Sequence, residues 1–284
     1  MARWTKLGIV AGAGALPQRI AAACAKRGEP FHVIRLETIA DEAMKAFPGD
    51  ECGIAEFGKI IRKLKAEGCD AVVLAGAVRR PNFASLRPDW RGAALLPKLA
   101  AAAAKGDGAI LAALVETLEG EGLLVVGAEE IIKDLAAPKG PLGRVTPGEA
   151  DFADMKKAAA LIRALGPFDI GQGAVVAGGL VLAVEAAEGT DAMLDRCALL
   201  PSAMRGGAER CGVLVKRPKP GQELRVDLPA IGVETVKRAH RAGLAGIAVE
   251  ASVALVIDAT ETGAEADALG LFVYGFTDAE VRAS

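Results

Sequence analysis

The sequence predicts an α/β protein of two domains, and three observations carry that expectation. Apolar runs of strand length alternate with segments whose apolar residues recur at helical spacing. A glycine-rich turn joins the first such strand to the first helix, and a stretch rich in proline and glycine interrupts the pattern near the middle. With 284 residues the chain is long enough for two ordinary cores. Hydrophobic residues make up 52% of it and aromatics only 4%, a balance that suits sheets layered with helices.

Taken in order, Lys6 to Ala11 reads as a buried strand. Gly12-Ala-Gly-Ala-Leu-Pro17 follows it, ahead of a helical pattern through Ile20, Ala21 and Cys24 that ends near Gly28. Gly12 and Gly14 allow close backbone approach, and Ala15 and Leu16 offer N–H groups at the helix start. The turn is therefore either a phosphate loop or a tight structural turn. Pro17 stands where the dinucleotide fingerprint has its last glycine, and it reads as part of the first helical turn. Phe31 to Leu36 is a second strand, Gly58 to Glu67 an amphipathic helix, and Asp70 to Ala75 a third strand running into Gly76-Ala-Val-Arg-Arg-Pro81. In a parallel sheet the loops at the carboxyl ends of strands gather ligands, so Arg79 and Arg80 stand where they can grip a phosphate or pair with carboxylates. An Ala-rich helix ends at Lys105. Gly106-Asp-Gly108 then precedes a helix from Ile110 to Leu118 and a strand from Leu123 to Gly127, with Asp107 favoured as the helix N-cap over a ligand-facing residue.

Pro138 to Gly148 reads as an ordered connector, dividing an N-terminal domain (1–137) from a C-terminal catalytic domain (151–284) by a linker over 138–150. The second half opens with a helix from Asp151 to Leu165. An apolar strand from Leu180 to Val184 then mounts an acidic loop, Glu185-Ala-Ala-Glu-Gly-Thr-Asp191. Acids at this spacing, Glu188 and Asp191 among them, can hold Mg²⁺ through few direct ligands, or one of them can cap the helix that follows. From Val213 to Thr235 two apolar runs bracket Lys216, Arg217, Lys219, Gln222, Arg225 and Asp227, a mixture that suits either an anionic, metal-assisted site or an exposed hairpin with solvated charges. A helix from Val233 to Ala242 and strands over Gly246–Val249 and Val253–Ile257 complete the pattern.

Composition excludes several functions. Lys and Arg total 34 against 36 Asp and Glu, which argues against a broad nucleic-acid surface, and the few aromatics offer no base-stacking platform. The five cysteines lack any C-x-x-C pair, so neither a zinc site nor a disulfide framework is indicated. His32 and His240 show no partner pattern, and there is no G-x-S-x-G elbow. The apolar stretch from Ile170 to Val184 is too short for a bilayer span, and no signal-length core precedes it, so a cytoplasmic protein is expected.

Together, Gly12 to Pro17, Gly76 to Pro81, Lys105-Gly-Asp107, Asp169-Ile-Gly-Gln172, Glu185 to Asp191 and Lys219 to Gly232 resemble the UDP-2,3-diacylglucosamine pyrophosphatase family of Gram-negative lipid A synthesis. The alternative type is meant, because the histidine-rich dinuclear motifs of the calcineurin-like enzyme are absent. The resemblance spans nearly the whole chain. It implies a Rossmann-like N-terminal sheet and a C-terminal α/β domain with the ligand site between them. It also implies Mg²⁺ or Mn²⁺ as cofactor, and hydrolysis of UDP-2,3-diacylglucosamine to UMP and 2,3-diacylglucosamine 1-phosphate (lipid X) by water directed at the sugar-side phosphorus. A homodimer in peripheral contact with the cytoplasmic face of the inner membrane is further expected.

By carry-over from that family, Asp227 is the foremost catalytic and metal-binding candidate and Asp191 the next, with Glu188 as a further metal ligand. Gly12, Gly14, Ala15, Leu16, Arg79, Arg80, Asp107, Gln172, Thr190, Lys216, Lys219, Gln222 and Arg225 are the substrate-binding candidates. The family often has a second acid where Gly108 stands and an Asp where Glu223 stands. Two competing readings remain: a nicotinamide-dinucleotide oxidoreductase using Gly12 and Gly14, and a non-catalytic glycolipid or nucleotide carrier.

Overall fold

Alternating buried strands dictate two sheets. The computed structural model describes residues 3–78, 87–104, 106–205, 207 and 210–282. It divides into two units, Met1–Lys133 with Glu223–Asp227, and Asp134–Gln222 with Leu228–Ser284.

The first unit runs β1 (Leu7–Ala11), α1 (Ala15–Arg27), β2 (Phe31–Leu36), β3 (Gly49–Cys52), α2 (Phe57–Ala66), β4 (Ala71–Ala75), α3 (Trp90–Ala103), α4 (Asp107–Gly120), β5 (Leu124–Val125) and α5 (Ala128–Ile131). Its five strands lie in the order β3-β2-β1-β4-β5, all parallel. This is the doubly wound order, whose direction of winding reverses between β1 and β4. Ile60, Ile61 and Leu64 of α2 and Val115 and Leu118 of α4 pack on Ile34, Leu36, Val72 and Val125, forming one core. Two points differ from the sequence reading. β3 was not foreseen, because Gly-Asp-Glu-Cys has no apolar period. The cap of α4 is Gly106, at φ +129°, rather than Asp107; a glycine reaches that conformation without steric cost, and Asp107 becomes the first helical residue.

The second unit runs β6 (Gly140–Pro141), α6 (Glu149–Leu165), β7 (Gly173–Ala177), β8 (Leu180–Val184), α7 (Gly189–Ala198), β9 (Val213–Lys216), β10 (Ala230–Ile231), α8 (Val233–Arg241), β11 (Gly246–Glu250), β12 (Leu255–Val256), α9 (Ala259–Leu269), β13 (Phe272–Phe276) and α10 (Asp278–Val281). Six strands form a mixed sheet in the order β6-β13-β11-β9-β7-β8, and β10 pairs with β12 alone. β9, β11 and β13 are parallel, whereas β6, β7 and the β7–β8 hairpin add antiparallel pairs. Alternation along the strands sends Val175, Ala183, Leu214, Ile247 and Val273 to a core under α7, α8 and α9. Ala174, Val176, Val213, Val215 and Ala248 go to a second core under α6 and α10. β9 is buried at every position and pairs with β7 and β11 rather than with β10, so the Val213–Thr235 stretch is no exposed hairpin.

One contact fixes the hairpin. The Gly178-Gly179 turn has φ values of +55° and +76°, as a tight two-residue hairpin requires. The buried Asp154 of α6 accepts hydrogen bonds from both turn amides, at 2.9 Å from Gly178 N and 2.7 Å from Gly179 N. Asp154→Ala leaves those donors without their acceptor, and urea denaturation is expected to register a loss of about 2–3 kcal/mol. A loss below about 0.5 kcal/mol would show that the turn holds itself, as an ordinary surface change does.

A candidate phosphate site at a strand edge

In the second unit the carboxyl ends of β8 and β9 and the amino end of β7 share one edge of the sheet, because β7 runs antiparallel to both. Lys216, the last residue of β9, pairs in register with Gly173, and Glu185 follows β8, its N–H donating to Gly173 O at 2.8 Å. Lys216 is only 6% exposed. Its Nζ donates to Thr190 Oγ1 at 2.7 Å and to Ala230 O at 3.3 Å, and among the described residues no carboxylate lies within ion-pair distance of it. A buried ammonium with neutral partners alone is under-compensated, an environment suited to receiving an anion. Thr190 opens α7, whose first-turn N–H groups add positive potential at the same place.

A second cluster adjoins it along the chain. Gln172 O accepts from Arg217 N at 3.0 Å. Lys219 to Gln222 form a turn with Pro220 and Gly221 at its centre (φ +78° at Gly221), closed by Gln222 N to Lys219 O at 3.2 Å. Gln222 Oε1 accepts from Lys219 N at 2.8 Å, and its Nε2 approaches Gln172 Oε1 at 3.4 Å. Lys219 is ion-paired with Asp169, a partner whose role the sequence reading had not singled out. Arg217 runs to the other face of the sheet, where Glu250 and Asp278 each lie 3.1 Å from it. Burial pushes the Glu250 carboxyl above its ordinary value, against the pull of Arg217.

The expected metal carboxylates are otherwise engaged. Glu188 pairs with Arg196 at 2.9 Å. Its carboxyl is held below the usual range first by its own backbone N–H and then, against burial, by Arg196. Asp191, 60% exposed, lies 3.5 Å from Arg238. Among the described residues no three His, Cys, Asp or Glu side chains converge as a metal site would need. Mg²⁺ does not require such a cage, being commonly held by one or two carboxylates, substrate phosphates and water.

Asp227 and Arg225 belong to the first unit. The Arg225 guanidinium meets both Glu223 oxygens, through Nε and Nη2 at 2.8 Å each, and Glu119 of α4 through Nη1 at 2.5 Å. These carboxylates, Glu223 foremost, raise its pKa, and Arg225 in turn lowers that of Glu223. Arg225 is thus a brace for the turn that carries Asp227, whose N–H donates to Glu223 O at 3.2 Å.

The glycine loop after β1 is also tied down. Ala13 and Ala77 exchange backbone hydrogen bonds at 3.0 and 2.8 Å, and a Cβ on Gly12 would lie 2.8 Å from Ala77 O. Gly14 N donates to Asp41 Oδ2 at 2.9 Å, placing a carboxylate where a dinucleotide phosphate would need that amide. Ala15 and Leu16 form the first turn of α1, with Pro17 behind them. Arg79 and Arg80, and the side chain of Asp107, lie outside the described residues.

Fold and edge together define a two-domain α/β protein with a buried lysine, Lys216, at the edge of its second sheet. Models of the LpxI N-terminal domain and the LpxI C-terminal domain match residues 6–135 and 138–274, and the chain belongs to the LpxI family. The UDP-2,3-diacylglucosamine pyrophosphatase LpxI of Caulobacter vibrioides is 54% identical over 271 residues, covering 95% of this chain and 97% of that protein. The family resemblance and the two-domain α/β architecture expected from the sequence are borne out. Among solved structures, the GalE-like L-threonine dehydrogenase from Cupriavidus necator (holo form) is similar at 12% identity and a TM-score of 0.31, over 97% of this chain and 87% of that one. That likeness is too slight to bear on function. No helix among the described residues is long and apolar enough to cross a membrane.

If Lys216 serves a ligand rather than the fold, Lys216→Met should cost no more than about 1 kcal/mol in chemical denaturation without ligand, whereas breaking a structurally required buried ion pair costs about 3–5 kcal/mol.

Proposed function

We propose that this chain is a UDP-2,3-diacylglucosamine diphosphatase, cleaving the pyrophosphate bond of its substrate to UMP and lipid X in lipid A biosynthesis. The observation that carries the reading is the buried Lys216 ammonium, paired among the described residues only with neutral groups beside the start of α7, in a member of the LpxI family. Pyrophosphate hydrolysis spreads charge over phosphoryl oxygens, and a preorganised cation in a desolvated setting stabilises that charge most. Lys216 and Thr190 hold a phosphoryl group, and the amides of Gln172 and Gln222 hydrogen-bond sugar or phosphate. Lys219, committed to Asp169, keeps the turn in place.

Asp227 orients the attacking water and takes its proton, with the sugar-side phosphorus as the target. Mg²⁺ or Mn²⁺, when bound, neutralises phosphoryl charge and favours ionisation of water. Asp227 is the carboxylate assigned to hold it, with Asp191 next. The substrate being a lipid, the enzyme works in peripheral contact with the inner membrane, as a homodimer.

Purified protein should release UMP from UDP-2,3-diacylglucosamine, lose that activity to a chelator and regain it with Mg²⁺ or Mn²⁺. In ¹⁸O-labelled water the label should enter lipid X; label in UMP would move the attack to the other phosphorus. Asp227→Ala should lower kcat by about 100- to 10,000-fold with KM little changed, the range for a lost general base. A fully active variant would remove Asp227 from the mechanism. The dinucleotide reading predicts micromolar NAD or NADP affinity; Asp41 on the Gly14 amide leads us to expect none by calorimetry.

A further inference from the structure

Glu185 is 8% exposed, and its Oε2 is fully buried with no hydrogen-bond partner among the described residues. Lys216, 6% exposed, has only neutral partners among them. Both belong to the same edge and face of the sheet: Glu185 continues the alternation of Ala183, Lys216 that of Leu214, and Gly173, which lies in the row between them, that of Val175, all three apolar residues sharing one core. Two opposite buried charges on the strands either side of β7 can reach across it and neutralise one another. Here they do not meet within ion-pair distance, and the residue between them has no side chain.

The carboxylate folds over that glycine, since a Cβ on Gly173 would stand 2.5 Å from Glu185 Oε2. The backbone beneath is equally constrained. At Gly171 (φ +52°) a Cβ would lie 2.0 Å from Glu185 O, so only glycine lets the chain pass there. A lysine needing an anion and a glutamate needing a donor, arranged in one row, ask for a ligand that carries both groups.

We propose that Glu185 is a specificity-determining residue that accepts a hydrogen bond from a free hydroxyl of the glucosamine ring whose phosphate lies at Lys216 and Thr190. This rests on the diphosphatase reading above and deepens it. A phosphate-only ligand would satisfy Lys216 and leave Glu185 bare, whereas a glycosyl phosphate satisfies both. A site built around a buried polar group rejects a ligand lacking the matching hydroxyl, because that group is then left unpaired.

The test compares native protein, Glu185→Gln and Glu185→Ala on UDP-2,3-diacylglucosamine and on its 4-deoxy and 6-deoxy analogues, with thermal melting to verify folding. In the native protein, one analogue should lose about 10- to 150-fold in kcat/KM, the worth of a hydrogen bond to a charged group. Glu185→Ala should lose a similar factor on the parent substrate and suffer almost no further loss on that analogue. Glu185→Gln, which keeps the shape and an acceptor oxygen, should fall between. Full activity of Glu185→Ala on the parent, or an undiminished analogue penalty in that variant, would overturn the proposal while leaving the diphosphatase reading intact. Absence of UMP release by native protein would instead overturn that reading. The same comparison made on dissociation constants of 2,3-diacylglucosamine 1-phosphate and its deoxy analogues would then decide the role of Glu185.

Discussion

Burying a lysine without a carboxylate is the constraint around which the second sheet is arranged. Lys216 ends a central strand whose every residue is buried, so its ammonium is forced into a desolvated place. The chain answers with a hydroxyl from the start of α7 and a carbonyl from β10. Both partners are neutral, and such hydrogen bonds compensate a buried charge less than an ion pair does, which is the demand that the proposed phosphate would meet. On the opposite face the contrast is plain: Arg217, the next residue, is compensated by Glu250 and Asp278 and serves the fold. The alternation of the strand thus gives adjacent cations neutral partners on one face and carboxylates on the other.

The first sheet treats its conventional ligand position differently. The winding reverses between β1 and β4, where doubly wound proteins usually place a phosphate. Here the two loops are bonded to each other through Ala13 and Ala77, and Asp41 takes the Gly14 amide. A carboxylate satisfies the same donor that a phosphate would, and repels the phosphate itself. The strand–glycine–helix pattern is therefore retained as architecture, while the chemistry of the dinucleotide fingerprint is lost along with its last glycine.

Much of this was legible in the sequence, and what was not has identifiable causes. Apolar runs of strand length marked β1, β2, β4 and β8, and the helical period marked α1, α2, α6 and α8. The strands β3 and β13 escaped, one for want of apolar residues and the other because Phe272 to Phe276 follows a helix, α9, that the reading also missed. Val253 to Ile257 shrinks to a two-residue strand because Ser252, at φ +63°, bends the chain into a turn just before it. At the site, charge pattern pointed to Lys216, and Gln172 and Thr190 came with the family resemblance, but which charged groups are already paired is not written in the pattern. Lys219 with Asp169, Arg225 with Glu119 and Glu188 with Arg196 are pairings that only the folded chain displays. Glu185 was seen as one acid among three, and its isolation follows from strand register alone.

Arg225 is held by two carboxylates, one of them remote in sequence. Its planar fork engages Glu223 through two parallel hydrogen bonds while the remaining nitrogen reaches Glu119, a geometry that a lysine cannot reproduce. The turn so braced is pinned a second time by Val226, which packs against the core of the first sheet. Asp227 follows immediately, so its backbone is fixed by two independent contacts with the first unit, although the residues before and after the segment belong to the second. A carboxylate with the role proposed for Asp227 would gain from such fixing, because orientation is supplied in advance of binding rather than during it. The brace is partly exposed, and its worth lies in geometry more than in Coulomb attraction, which solvent screens.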